Sequence, residues 1–135
     1  MASAPEKLLF TGKTHNTSGR DGVARSADGF FDLKVPQPHP AAENLFGAAW
    51  SACFMGAIGV AAGQQKVKLP GAPSVDAEID LVQAGGTNYF LRARLNVSIP
   101  GVDRATAEAL VHAAHEICPY SKATRGNIDV AITVK

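Results

Sequence analysis

No charged residue occurs between Asn44 and Gln65, a run that reads NLFGAAWSACFMGAIGVAAGQQ. The run limits the possible folds more than any other feature. Either it crosses a membrane, or it becomes a helix sheltered inside a soluble domain. Its apolar part, Leu45 to Ala62, approaches the ~20 residues that a span requires. Its bulk is Ala and Gly rather than Leu, Ile or Val, and no cluster of Lys or Arg flanks either end. The Gly59–Gly63 pair allows close helix approach in either solvent. The composition therefore predicts a soluble central helix over Ala42–Gly63, apolar nearly all round and covered on most sides. One small sheet cannot supply that cover, so a homodimer built around Leu45–Gly63 is a physical expectation.

The remaining chain supplies strands and one further helix. Leu8–Thr14 reads as a strand, and Ser18-Gly19-Arg20-Asp21-Gly22 and Ala27-Asp28-Gly29 read as turns before an extended Phe30–Val35. Pro36, Pro38 and Pro40 forbid regular structure in the loop that contains His39. Val75, Ala77, Ile79 and Leu81 alternate with Asp76, Glu78 and Asp80, which predicts a half-covered strand. A turn at Ala84–Asn88 leads into Tyr89–Ile99, which alternates in the same way and completes a long hairpin. Asp103 is a good N-cap for a helix whose stripe carries Ala107, Leu110, Val111, Ala114, Ile117 and Cys118, and Pro119 limits its continuation. Ile128, Val130, Ile132 and Val134 alternate into a closing strand. The plan is α+β, a single domain over residues 1–135.

Charge narrows the partners. The 135 residues carry a net charge of +1 with both signs interspersed and no basic block, which argues against nucleic acid. No apolar signal segment follows Met1, so a cytoplasmic chain is expected. There, two cysteines are poor evidence for a structural disulfide.

Cys53 lies in the middle of the uncharged run, and Cys118 ends the stripe of the second helix. Folding could bring these faces together. Neither thiol is nucleophilic unaided: apolar surroundings penalise a thiolate at Cys53, and a helix C-terminus disfavours one at Cys118. A reactive Cys53 needs a cation from elsewhere, and Arg20 in its Gly-flanked turn is the candidate because guanidinium stays charged. Arg20 in turn needs a carboxylate, either Glu43 at the head of the central helix or the adjacent Asp21. Inert core packing of both thiols is the competing reading. His112, His115 and Cys118 suggest zinc, but positions six apart on a helix diverge too far to share one ion easily. His112, His115, His15 and His39 read as solvated helix-face or loop residues. No Ser-His-Asp arrangement, phosphate-binding loop or dinucleotide fingerprint is present.

The segments NLFGAAWSACFMGA around Cys53 and EICPYSKATRGNIDV around Cys118 closely resemble those of the organic hydroperoxide resistance proteins, thiol peroxidases within the OsmC-like superfamily. The likeness extends through GRDGVARSADGFFDLKV and IPGVDRATAEALVHAAHEICPYS, so it covers nearly the whole chain in order. The resemblance implies an OsmC-like fold, with antiparallel sheets around a long buried central helix in an intertwined homodimer. It implies a peroxidatic Cys53, a resolving Cys118, and Arg20 and Glu43 completing the site. It implies reduction of alkyl and fatty-acid hydroperoxides to alcohols with no bound cofactor, and recycling by an external dithiol such as the lipoyl group of a carrier protein. Phe46 and Trp50, one or two turns before Cys53 on a related face, are candidate contacts for the substrate's tail, with ordinary helix packing as the equal alternative. Two departures stand out: Ala41-Ala42-Glu43 replaces the family's frequent Asn-Pro-Glu, and Trp50 replaces its common Tyr. The alternative function is a redox sensor that uses the same cysteine pair.

Overall fold

The structure is a computed structural model that describes residues 4–37 and 41–135. The chain separates into two compact units, residues 1–42 and 43–135, and each is described by itself. Pro38, His39 and Pro40 of the expected loop lie outside the described residues.

The N-terminal unit is a three-stranded antiparallel sheet in the order β1 (Thr14–Asn16), β2 (Val23–Ser26) and β3 (Asp32–Lys34). Its two turns fall where the glycine-rich signals predict them. At the first, the Gly22 N–H donates to the Gly19 carbonyl at 3.1 Å, which places Arg20 and Asp21 at the two corner positions. Gly22 is obligatory there, because an added Cβ would stand 2.8 Å from the carbonyl oxygens of Thr17 and Val35. The strand expected over Leu8–Thr14 is not formed before Thr14. Strands persist only where a neighbour takes up their backbone groups, and among the described residues the one pairing before Thr14 is the Ala27 N–H on the Lys13 carbonyl. Leu8, Leu9 and Phe10 are each more than 80% exposed.

In the C-terminal unit, α1 (Ala41–Gln65, within this unit from Glu43 on) leads to a hairpin of β4 (Ser74–Gln83) and β5 (Tyr89–Ser98), then to α2 (Arg104–Ile117), α3 (Pro119–Thr124) and β6 (Asp129–Val134). The period-2 pattern does what the sequence implies. Ala93, Leu95, Val97 and Ile99 turn inward, while Arg92 and Arg94 meet the acidic face of β4. Arg94 grips Asp80 with two hydrogen bonds of 2.8 and 2.7 Å. The helix α2 starts as expected, with the Thr106 N–H donating to the Asp103 carboxylate at 3.2 Å. Its buried stripe is Ala107, Leu110, Val111 and Ala114.

One feature corrects the expectation of antiparallel sheets, and a second agrees with the expectation that this chain alone cannot cover its central helix. First, β6 pairs parallel to β5, from Arg92↔Asp129 to Val97↔Val134. A parallel neighbour needs a crossover, and α2 with α3 provides one. Second, α1 is covered by this chain on one side. Trp50, Phe54, Ala57, Ile58, Ala61 and Ala62 form its buried face against β5 and α2. Ala49, Ala52, Gly56, Val60 and Gly63 form an exposed stripe. By length and hydropathy α1 could cross a membrane, yet its packed face makes it the core helix of this unit.

Candidate functional site

The site begins with a break in a helix. Pro119 drives the preceding residue out of helical conformation, so Cys118 is extended (φ −62°, ψ 120°) and α2 stops. The same proline opens α3 at its first position, where a missing N–H costs nothing. Cys118 is thus pinned from both sides: its N–H donates to Ala114 at 2.8 Å and its carbonyl accepts from Lys122 at 3.0 Å. Its side chain is fully buried and faces α1. There the Cys118 thiol donates to the Cys53 sulfur at 3.2 Å, and both cysteines are free thiols.

The sequence expectation that folding joins these two faces therefore holds. Burial pushes the Cys53 thiol above its ordinary pKa, and the neighbouring Cys118 pushes the same way. The Tyr120 backbone N–H pulls against them by hydrogen bonding to the Cys53 sulfur. Left to these groups, Cys53 is a poor nucleophile near neutral pH, as the sequence implied.

Trp50 and Phe46 separate in role. Their rings pack edge to face with centroids 5.8 Å apart. Phe46 lines a groove of about 480 Å³ with Leu91, Pro119, Tyr120, Ala123 and Ile128. Its walls are almost entirely apolar, and Pro119 and Tyr120 directly follow Cys118. Trp50 does not line this groove. It is fully buried behind Phe46, and its indole N–H donates to the Ser121 hydroxyl at 3.1 Å. A buried indole seeks such a partner, and Ser121 supplies it from α3. Sequence reasoning passed over both α3 and Ser121. The available signal was Pro119 itself, which starts a helix as readily as it ends one.

Glu43 sits in the first turn of α1, half-buried, beside a second hollow of about 380 Å³ that Asn44, Ser51, Met55 and Ile79 help to line. Arg20 belongs to the N-terminal unit. It is exposed on its turn and borders a hollow of about 310 Å³ with Asp21, Lys34 and Pro36. Among the described residues, no set of three or more His, Cys, Asp or Glu side chains is placed to hold a metal ion. His115 is not the solvated residue expected. Its Nδ1 atom is buried without a partner, and burial followed by the Arg125 charge lowers its pKa. Arg125 also donates to the His115 carbonyl at 2.5 Å.

Comparison with known proteins identifies the family. Residues 35–133 match the family described as OsmC-like protein. The organic hydroperoxide resistance protein of Xanthomonas axonopodis pv. citri is 42% identical, with 99% of each chain aligned. The crystal structure of an organic hydroperoxide resistance protein from Elizabethkingia anophelis superposes with a TM-score of 0.85 at 35% identity, covering 96% of this chain and 99% of that one. The Bacillus subtilis protein OhrB superposes with a TM-score of 0.81 at 37% identity, covering 95% and 100%. With a thiol pair in contact beside an apolar groove, and likeness over its whole length, the chain belongs to the organic hydroperoxide resistance branch of the OsmC-like family.

Proposed function

We propose that this chain is a cysteine-based peroxidase that reduces organic hydroperoxides to alcohols and is recycled by a dithiol. The observation that carries the reading is the 3.2 Å contact between the Cys53 and Cys118 sulfurs beside a mainly apolar groove. The names of the relatives supply the substrate class.

In this mechanism Arg20 approaches Cys53 and stabilises its thiolate against the burial that otherwise disfavours it. Glu43 orients the guanidinium through a two-pronged carboxylate pair. The thiolate attacks the outer oxygen of ROOH; the O–O bond breaks, the alkoxide takes a proton and leaves as ROH, and Cys53 becomes a sulfenic acid. The Cys118 sulfur displaces hydroxide from that sulfenic acid, forming a disulfide and releasing water. An external dithiol of the lipoyl type then reduces the disulfide by two exchange steps and becomes a cyclic disulfide itself. The protein works in the cytoplasm as a homodimer, its second copy covering the exposed Ala49–Gly63 stripe of α1.

Steady-state assays with cumene hydroperoxide and hydrogen peroxide, each with lipoyl and thioredoxin donors, test the reading. Sustained turnover of the organic peroxide with the lipoyl donor is expected. Oxidation that is slow and not recycled by any dithiol would favour a sensor, and thiols indifferent to peroxide would remove redox chemistry altogether.

A further inference from the structure

Among the described residues, two side-chain pairs join α1 to the Cys118 segment, besides the Tyr120 backbone N–H on the Cys53 sulfur, and the two pairs are spaced alike. Cys53 meets Cys118 at 3.2 Å, and Trp50 meets Ser121 at 3.1 Å. Trp50 precedes Cys53 by one helical turn, and Ser121 follows Cys118 by the same number of residues, so the two strips run antiparallel and in register. Trp50 and Ser121 are both fully buried. Among the described residues, theirs is the one fully buried hydrogen bond that joins α1 to α3.

We propose that Trp50 and Ser121 form a positioning pair that holds the Cys118 sulfur at condensing distance from Cys53, and thereby decides the fate of the sulfenic acid. The proposal rests on the peroxidase reading. Two reactions compete for the sulfenic acid. In the first, Cys53–SOH and the Cys118 thiol form an S–S bond as the S–O bond breaks, and the thiol proton leaves with hydroxide as water. In the second, another ROOH oxidises Cys53–SOH to the sulfinic acid and departs as ROH. The first depends on where Cys118 stands, and the second does not. Slippage between α1 and α3 separates the sulfurs, and the indole–hydroxyl bond resists it because breaking it strands a buried donor with no water to replace its partner. Apolar packing alone fixes such register less sharply, since it has no direction.

The experiment uses the reduced full-length protein and the variants Ser121→Ala, Trp50→Phe and the double substitution. Quenched-flow alkylation with mass spectrometry follows loss of the first thiol, disulfide closure, and the sulfinic fraction under excess cumene hydroperoxide. First-thiol loss should match wild type in Ser121→Ala. Closure should slow by about twofold to tenfold, the scale of one lost hydrogen bond, and the sulfinic fraction should rise. Trp50→Phe should reproduce this, and the double variant should add little. Should Trp50→Phe not fold, Ser121→Ala carries the test alone. Ser121→Ala with a lowered melting temperature but wild-type closure and wild-type sulfinic yield reduces the bond to a packing role and overturns the proposal. A wild-type protein that forms no Cys53–Cys118 disulfide overturns the peroxidase reading, and this one with it.

Discussion

The Cys53 and Cys118 sulfurs stand 3.2 Å apart across 65 residues of sequence, with one thiol donating to the other. A covalent bridge needs about 2.0 Å, so the two strips have little distance to close once Cys53 is oxidised. The same contact that favours closure makes Cys53 harder to ionise, because the neighbouring thiol and the surrounding burial both oppose a charge on its sulfur. On the proposed mechanism, the site needs a cation for its first step and none for its second.

That division sets a pH dependence. The reactive form is the thiolate, so peroxide reduction should rise with pH through the Cys53 titration. In the proposed mechanism, Arg20 brings this titration down from where burial sets it. In Arg20→Ala the raised value returns, shifting the rate profile to alkaline pH and slowing reaction at pH 7 by about ten- to a thousandfold, the range of one lost opposite charge. Stopped-flow oxidation rates across pH measure this, and an unmoved profile would remove Arg20 from the mechanism.

Phe46 should govern preference for chain length. Phe46→Ala opens one wall of the apolar groove that adjoins Pro119 and Tyr120. KM for a long-chain hydroperoxide should rise by about tenfold, corresponding to a modest loss of buried apolar surface. KM for tert-butyl hydroperoxide, too short to fill the groove, should change little. Equal effects on both would place the alkyl chain elsewhere.

Much of this was legible in the sequence. The long uncharged helix, the alternating β4–β5 hairpin, the Asp103 cap and the Cys118 stripe each follow from a single local rule, and the structure keeps them all. What failed depends on information from beyond the segment. Leu8–Lys13 has strand-forming residues but no strand beside it, and β6 could be given a direction only after its crossover was known. For Trp50, helix spacing alone leaves substrate contact and ordinary packing both open. Its hydrogen-bond partner, Ser121, lies 71 residues away on a helix too short to show periodicity.

Gly22 should be sensitive although it touches no sulfur. A methyl group there would press on the Thr17 and Val35 carbonyls at 2.8 Å, and those backbone atoms have little room to give. Gly22→Ala should destabilise the chain by about 1–3 kcal/mol, as overpacking commonly does. It should also reduce peroxidase activity, because Arg20 occupies the corner of the same turn. Urea unfolding and activity measured on one preparation check both, and retention of both would show that the turn can relax.

Asp80 offers a separate test on the solvent face of the β4–β5 sheet. Hydrogen bonds from Arg94, foremost, hold its carboxyl below the usual carboxylate range. A pKa lower in the folded than in the unfolded chain stabilises above the unfolded value, and this contribution is lost as pH falls through the folded one. Asp80→Asn should therefore lower the melting temperature at pH 7, by an amount that shrinks toward pH 3 and in high salt. An offset independent of pH would mean that the ion pair is not its source.

The most direct measurement of the central claim is a thiol count with non-reducing peptide mapping, made after the reduced protein meets one equivalent of cumene hydroperoxide. The account predicts that both thiols disappear together and that a single cross-linked pair, Cys53 with Cys118 of the same chain, takes their place. Two thiols still titratable after the peroxide has been consumed, or a bridge that joins two chains instead, would contradict it.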